Sequence, residues 1–325
     1  MQMQDIFQRY GDHLKRVEEH MEVHLRSEID LIPEIIHHLI GSGGKRFRPL
    51  LLTICAELCG YRGEKAYTPS AVIEFIHTAT LLHDDVIDQA ETRRGKVSAN
   101  NVWGNAASVL VGDFLYSKAF KLMAEEGNLA MLRVISSTTN TMSEGEVFQL
   151  VKCGDIDITE EEYLTIIEKK TSVLMSAACA SGAILGNGTP SQIDTLSTFG
   201  LRLGSAFQIT DDTLDYTARK EEFGKAIGKD LEEGKMTLPL IHTLKRCTPG
   251  EKDRIKEIIE TKRIDEGAIG EISGLIHRYD GIGAALNKAR VYIDEGKASL
   301  VAAFGTSEAR TALLTIADFI IERRV

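Results

Sequence analysis

Proline is scarce in this chain of 325 residues, with only Pro33, Pro49, Pro69, Pro190, Pro239 and Pro249. None falls between Pro69 and Pro190, which leaves a long stretch free of helix breakers. Basic excess is missing too. The net charge of -10 argues against generic binding to nucleic acid or to an anionic membrane surface. No apolar run is long enough to span a bilayer, and the start, Met1-Gln2-Met3-Gln4-Asp5, does not have the shape of a signal peptide. The five cysteines, Cys55, Cys59, Cys153, Cys179 and Cys247, form no Cys-x-x-Cys pair. Buried thiols in a reducing compartment are the simple reading, and the cytoplasm is the expected location. Low-complexity linkers are absent, so the expectation is one domain over 1–325.

The remainder reads as helix. Hydrophobic residues at 43% and charged residues at 26% are ordinary for a globular protein. Thr68-Pro69, Thr189-Pro190 and Thr248-Pro249 each place a Thr N-cap before a Pro at the first helical position. Thr159-Glu160-Glu161-Glu162 predicts a capping box before a helix running to about Leu185, which Gly186-Asn187-Gly188 ends. There is no sustained period-two alternation and no strong hairpin signal. The fold class is all-α, a single large helical bundle.

Two copies of one pattern carry the chemistry: Asp84-Asp85-Val86-Ile87-Asp88 and Asp211-Asp212-Thr213-Leu214-Asp215. Both sit in apolar, helix-like sequence. On a helix, Asp84 and Asp88 share a face one turn apart, as do Asp211 and Asp215. Like charges at that spacing repel, and apolar surroundings add a desolvation cost. Cations between them remove both penalties. Carboxylates favour hard ions, and magnesium completes its octahedron with water and substrate phosphates. Two such faces would together hold a diphosphate. A single acidic patch on an amphipathic helix is commonplace, but repetition in an equally apolar context favours metal binding.

Other residues extend these faces. His77 lies two turns before Asp84. Gln208 falls on one stripe with Asp211, Asp212 and Asp215, where a neutral amide can donate to a phosphate or face a developing positive charge. A polar residue satisfied by a neighbouring helix is an equal alternative. Gly43-Gly44-Lys45-Arg46-Phe47-Arg48 offers backbone amides and cations to a phosphate, although a solvated basic turn is the more frequent case. Arg93 and Arg94 follow the first aspartates. His20 and His24 have metal-pair spacing, but Glu18, Glu19 and Glu22 mark a solvated helix face. His83 reads as a helix-packing residue, and Cys55 and Cys59 as core.

In order along the chain, Gly43-Gly44-Lys45-Arg46-x-Arg48-Pro49, His77, the first aspartate motif, Arg93-Arg94-Gly95, Lys170-Thr171 and Phe207-Gln208-x-x-Asp211-Asp212-x-x-Asp215 resemble the trans-type polyprenyl diphosphate synthases. The stretches Phe75–Asp85 and Gly104–Asp113 are most similar to bacterial octaprenyl-type members, which make the tails of respiratory quinones. The resemblance implies an isoprenoid synthase bundle with a central cavity. It also implies a magnesium-dependent prenyltransferase working as a homodimer, with about three ions around the bound diphosphate. Lys45, Arg48, His77 and Arg94 would hold isopentenyl diphosphate. Arg93, Lys170, Thr171 and Gln208 would hold or face the allylic diphosphate. Asp84, Asp88 and Asp211 would be the main magnesium ligands, supported by Asp85, Asp212 and Asp215. Lys225 and Lys235 match further phosphate-contacting lysines. Ala79 and Thr80, both small, sit where bulky residues close the product cavity in short-chain members, which implies a long product. Its floor would lie further off, on the helix of Phe114, Phe120, Leu122 and Met123. The apolar product implies transient membrane contact at release.

Terpene cyclases use the same ionisation but usually carry one such aspartate motif and need no isopentenyl site. Non-catalytic regulatory subunits usually lose one motif. Both motifs and the basic loop are intact here.

Overall fold

The computed structural model describes residues 1–40, 46–93, 95–217, 228–261 and 264–322. Lys45, Arg94 and Lys225 lie outside these. The described chain is helical throughout apart from one small ribbon. Its contacts divide it into two compact units. The first comprises Met1–Thr139, Leu174–Gly200 and Leu300–Thr315; the second comprises Asn140–Val173, Leu201–Ser299 and Ile316–Val325.

In the first unit the helices are α1 (Met3–His24), α2 (Leu31–Ile40), α3 (Phe47–Leu58), α4 (Tyr67–Ile87), α5 (Ala99–Trp103) and α6 (Asn105–Glu126). The unit also takes in the first part of α7 (Leu129–Lys152), up to Thr139, and most of α9 (Val173–Leu185). Helix α4 packs against α1, α3 and α6. Its buried residues include Val72, Ile73, Phe75, Ile76, Ala79 and Leu82, so it is apolar nearly all round, as a central helix must be. At the entry to α3, Arg46 holds a left-handed backbone with φ 47°. That conformation is costly for a residue with a Cβ. Its guanidinium donates at 3.1 Å to Glu18 of α1 and at 3.2 Å to Glu74 of α4, and Glu74 is buried. The charge pair holds the backbone turn.

In the second unit, α8 (Glu160–Ile167) leads through a π turn at Glu168–Ser172 into α9. Helix α10 (Pro190–Thr217) brings the second aspartates. The shorter helices Lys229–Glu232 and Leu238–Leu244 follow, then Pro249–Glu260, Glu266–Arg278 and Gly281–Ala303. Ile209, Leu231, Leu240, Ile255, Ile272 and Ile276 are among the buried side chains of its core.

Several sequence expectations hold. Thr159, Thr189 and Thr248 each cap a helix reciprocally. The amide of Glu162 donates to Thr159 at 3.2 Å, and the amide of Thr159 donates back to Glu162 at 2.8 Å. Gln192 and Glu251 play the same part for Thr189 and Thr248. Others are corrected. Thr68 does not cap α4, because a short 3-10 turn at Glu64–Ala66 leads straight into the helix, which begins two residues earlier than expected, at Tyr67. The helix predicted to run unbroken to Leu185 contains the π turn. Its end is set by Asn187, which takes the left-handed conformation at φ 54°. A ribbon the alternation rule could not detect pairs Thr92 with Val97 and Arg93 with Lys96, turning through Gly95 at φ 77°. Two residues per strand are too few to register as a period. Of the five free thiols, Cys55 and Cys179 are buried as expected, but Cys153 is exposed just beyond α7.

Candidate active site

The first aspartate face is built at the end of α4. The amide of Asp88 donates to the carbonyl of Asp84 at 2.8 Å and closes the last turn. Gln89, left-handed at φ 49°, ends the helix there. Asp84 and Asp88 are half-buried, whereas Asp85 is fully buried. The Arg93 guanidinium donates to Asp85 at 2.6 Å from the ribbon. The structure therefore sorts three similar aspartates by job, two at the surface of the helix end and one tying the following loop down. The guanidinium predicted to face an allylic diphosphate is engaged, at Nε, in that tie. His77 lies two turns earlier on α4 and is half-buried. Thr80 turns its hydroxyl back to the His77 carbonyl at 2.7 Å. Ala79 is fully buried.

His83 packs as expected. Its ring stacks on Tyr116 at 5.8 Å and its Nε2 lies 3.2 Å from the Val109 carbonyl. Gly112 makes room for it, since a Cβ there would stand 2.3 Å from that nitrogen. His20 and His24 are ring-packed rather than solvated, 6.0 Å apart, with His20 5.4 Å from Tyr67. Leu122 and Met123 are buried, while Lys118 lies over the half-buried Phe114 ring.

The second face lies on α10. Asp211 and Asp215 are half-buried and Asp212 is buried. The Tyr163 phenol donates to Asp212 Oδ2 at 2.6 Å, and Gln208 Nε2 donates to Oδ1 at 2.7 Å. Gln208 Oε1 in turn accepts from the Thr171 hydroxyl at 3.0 Å. Desolvation raises the Asp212 carboxyl to about 6, against the two hydrogen bonds that lower it. Asp215 Oδ2 accepts from the amide of Asp230 at 3.0 Å. Desolvation, and then the charges of Asp212 and Asp215, push the Asp230 carboxyl well above its ordinary range. Lys170 reaches Glu146 at 2.8 Å, and Lys235 reaches Glu233 at 2.5 Å.

Lys170 and Thr171 stand in the π turn, where the wider winding turns side chains out of the regular helical stripe. Two glycines seat it. A Cβ at Gly145 would lie 2.9 Å from the Lys170 amide, and one at Gly204 would lie 2.6 Å from Ser172 Cα. Ser172 and Ser205 bond across the same contact at 3.0 Å. These glycines are mid-helix spacers, not breaks. Gly204→Ala should cost about 1–3 kcal/mol of overpacking and displace the Thr171–Gln208 contact. A thermal unfolding midpoint unchanged from the parent protein would refute this.

The donor set suits a hard divalent ion. Among the described residues no group of three His, Cys, Asp or Glu side chains forms an ion site by itself. Each face instead presents a half-buried pair, Asp84 with Asp88 and Asp211 with Asp215. Magnesium binds in this way, through one or two carboxylates completed by water and phosphate oxygens.

The sequence reading missed Tyr163, Glu146, Glu74 and Asp230. Only Asp230 left a trace, in the run Gly228-Lys229-Asp230 before Glu233-Gly234-Lys235. The others matter through partners distant in sequence.

Comparison with known proteins agrees with this architecture. The polyprenyl synthetase family profile matches residues 29–276. Octaprenyl diphosphate synthase of Escherichia coli is 48% identical over 236 residues, covering 73% of each chain. The enzyme of the same name from Haemophilus influenzae is 37% identical over 310 residues, covering 95% of this chain and 94% of its own. The crystal structure of polyprenyl synthase from Caulobacter crescentus, complexed with calcium and isoprenyl diphosphate, superposes with a TM-score of 0.94 at 38% identity, covering 98% of this chain and 97% of that one. The chain belongs to the polyprenyl synthetase family and has the all-α isoprenoid synthase fold. Within it, the chain stands with the trans-polyprenyl diphosphate synthases, which lengthen an allylic diphosphate by isopentenyl units.

Proposed function

We propose that this chain elongates farnesyl diphosphate with successive isopentenyl diphosphate units to all-trans octaprenyl diphosphate, for quinone side chains, and that residues 1–325 work as one polyprenyl synthase domain. The family profile supports the single domain because it runs across both compact units. One observation carries the site reading. Each aspartate motif presents a half-buried outer pair, and the second stands one helical turn from Gln208, whose oxygen is held beside Thr171.

Asp84, Asp88 and Asp211 are the carboxylates that would hold magnesium, about three ions with diphosphate bound, and Asp215 supports them. When bound, the metal stabilises negative charge on the departing diphosphate. Lys45, Arg48, His77 and Arg94 bind and orient isopentenyl diphosphate. Arg93, Lys170, Lys225 and Lys235 bind the allylic diphosphate. Thr171 and Gln208 face the allylic carbon as it gains positive charge. The double bond of isopentenyl diphosphate attacks that carbon, and a proton leaves, with the released diphosphate as its acceptor. The buried Ala79 and the small Thr80 leave α4 without the bulk that stops a growing tail early.

The exposed apolar residues Val109 and Leu110 on α6, with Val147, Leu150 and Val151 on α7, support a homodimer. Among the described residues no helix is long and apolar enough to cross a membrane. The free thiols support a cytoplasmic location, with membrane contact only at product release. Purified protein incubated with magnesium, farnesyl diphosphate and labelled isopentenyl diphosphate should give a forty-carbon product by chromatography and mass. A ladder ending elsewhere refutes the octaprenyl assignment, and no elongation with any allylic primer refutes the enzyme.

A further inference from the structure

The chemistry above makes no use of Tyr163. It lies on α8, seven residues ahead of Lys170 and a full turn before the π turn begins. Its ring is buried and its phenol is spent on a single acceptor, Asp212 Oδ2, at 2.6 Å. Asp212 is buried as well, 7% exposed, and its other oxygen takes Gln208 Nε2 at 2.7 Å. The chain of bonds ends where Thr171 donates to Gln208 Oε1 at 3.0 Å. We propose that Tyr163 is a positioning residue whose phenol, acting through Asp212, fixes the amide of Gln208 so that its oxygen and not its nitrogen stands beside Thr171.

Donors and acceptors dictate the alignment. An ionised carboxylate only accepts, and a carboxamide has one accepting and one donating end. With Oδ2 held by the phenol, Oδ1 faces Gln208 and admits only its nitrogen. The planar amide then points its oxygen the opposite way. The Thr171 hydroxyl, set by the π turn, donates to that oxygen and completes the alignment. The Tyr163–Asp212 end of this chain is buried, the Gln208–Thr171 end half-buried, and removing the phenol leaves a buried acceptor unmet. Asp212 is thereby an orienting carboxylate, in contrast to the outer pair Asp211 and Asp215.

The inference rests on the reading of Thr171 and Gln208 given above. There, an allylic carbon gaining positive charge meets the negative end of a fixed carbonyl dipole. A flipped amide would present its positive end instead. Ground-state binding of isopentenyl diphosphate, which depends on other residues, should be insensitive to the flip.

The test compares the full-length parent protein with Y163F, D212N and the double variant D212N/Q208E. Each is assayed for single-condensation turnover with magnesium, farnesyl diphosphate and isopentenyl diphosphate. Y163F should lower kcat about tenfold or more, with the KM for isopentenyl diphosphate and the magnesium concentration for half-maximal rate within about twofold. D212N should lower kcat further, because the introduced amide can donate to Gln208 and turn its oxygen away from Thr171. Adding Q208E should recover a large part of that loss, since the introduced carboxylate accepts from both the new amide and Thr171. A Y163F protein with kcat within about twofold of the parent overturns the inference, as does a loss that disappears at high magnesium. If Y163F does not fold, the other two variants decide: no recovery on adding Q208E overturns it. An active parent with unaffected variants overturns this inference alone, whereas an inactive parent overturns the reading of the site beneath it.

Discussion

Alanine at Asp84 should reduce elongation by about a thousandfold or more, with little loss of fold. The same change at Asp211 should do as much. Both carboxylates are half-buried at the surface of their helices, so shortening them opens no cavity in either core. Asp85→Ala is the informative contrast. Asp85 is fully buried and accepts from Arg93 at 2.6 Å, so its loss leaves a guanidinium nitrogen unmet and should cost about 1–3 kcal/mol of stability. Turnover and thermal unfolding measured side by side separate the two patterns. If Asp84→Ala keeps a tenth of the parent activity, the metal assignment fails. If Asp85→Ala unfolds at the parent temperature, the tie to Arg93 has no structural weight.

Tyrosine at Ala79 should shorten the product from forty carbons toward fifteen or twenty, by the family logic of bulk before the first aspartates. Ala79 is fully buried on α4, so the added ring either occupies the path of the growing tail or forces the neighbouring helices apart. Overpacking of that kind costs about 1–3 kcal/mol, which a modest fall in unfolding temperature would register. Product mass with farnesyl diphosphate as primer measures the shortening directly. Unchanged length with activity retained would remove Ala79 from the determination of chain length.

The two aspartate motifs stand out in the sequence as repeated local patterns in a helical context, whereas Gln208 has an equal structural alternative and the Lys170-Thr171 pair is singled out only by the family resemblance. The caps at Thr159 and Thr248 were legible for the same reason. The different fates of neighbouring aspartates were not. Nothing in Asp-Asp-x-x-Asp says that the second carboxylate turns inward, to Arg93 in one copy and to Tyr163 and Gln208 in the other. Partners 8 and 49 residues away decide that. The π turn was hidden because Glu168-Lys169-Lys170-Thr171-Ser172 has ordinary helical composition. The glycines that give it room, Gly145 and Gly204, lie far off in the chain. The left-handed Arg46 was equally hidden, since arginine is no signal for that conformation and the carboxylates that hold it come from two other helices.

Helix α4 also serves as a ruler. Glu74, which anchors Arg46, lies three residues before His77 and ten before Asp84 on one unbroken helix. At 1.5 Å per residue, that sets the anchor and the first aspartate about 15 Å apart along the axis. A substitution inside this interval alters one contact. Inserting or deleting a single residue would instead rotate everything beyond it by about 100°, turning Asp84 and Asp88 away from the direction fixed by the Glu74 anchor. The interval from Glu74 to Asp84 should therefore tolerate exchanges of residue far better than any change in its length.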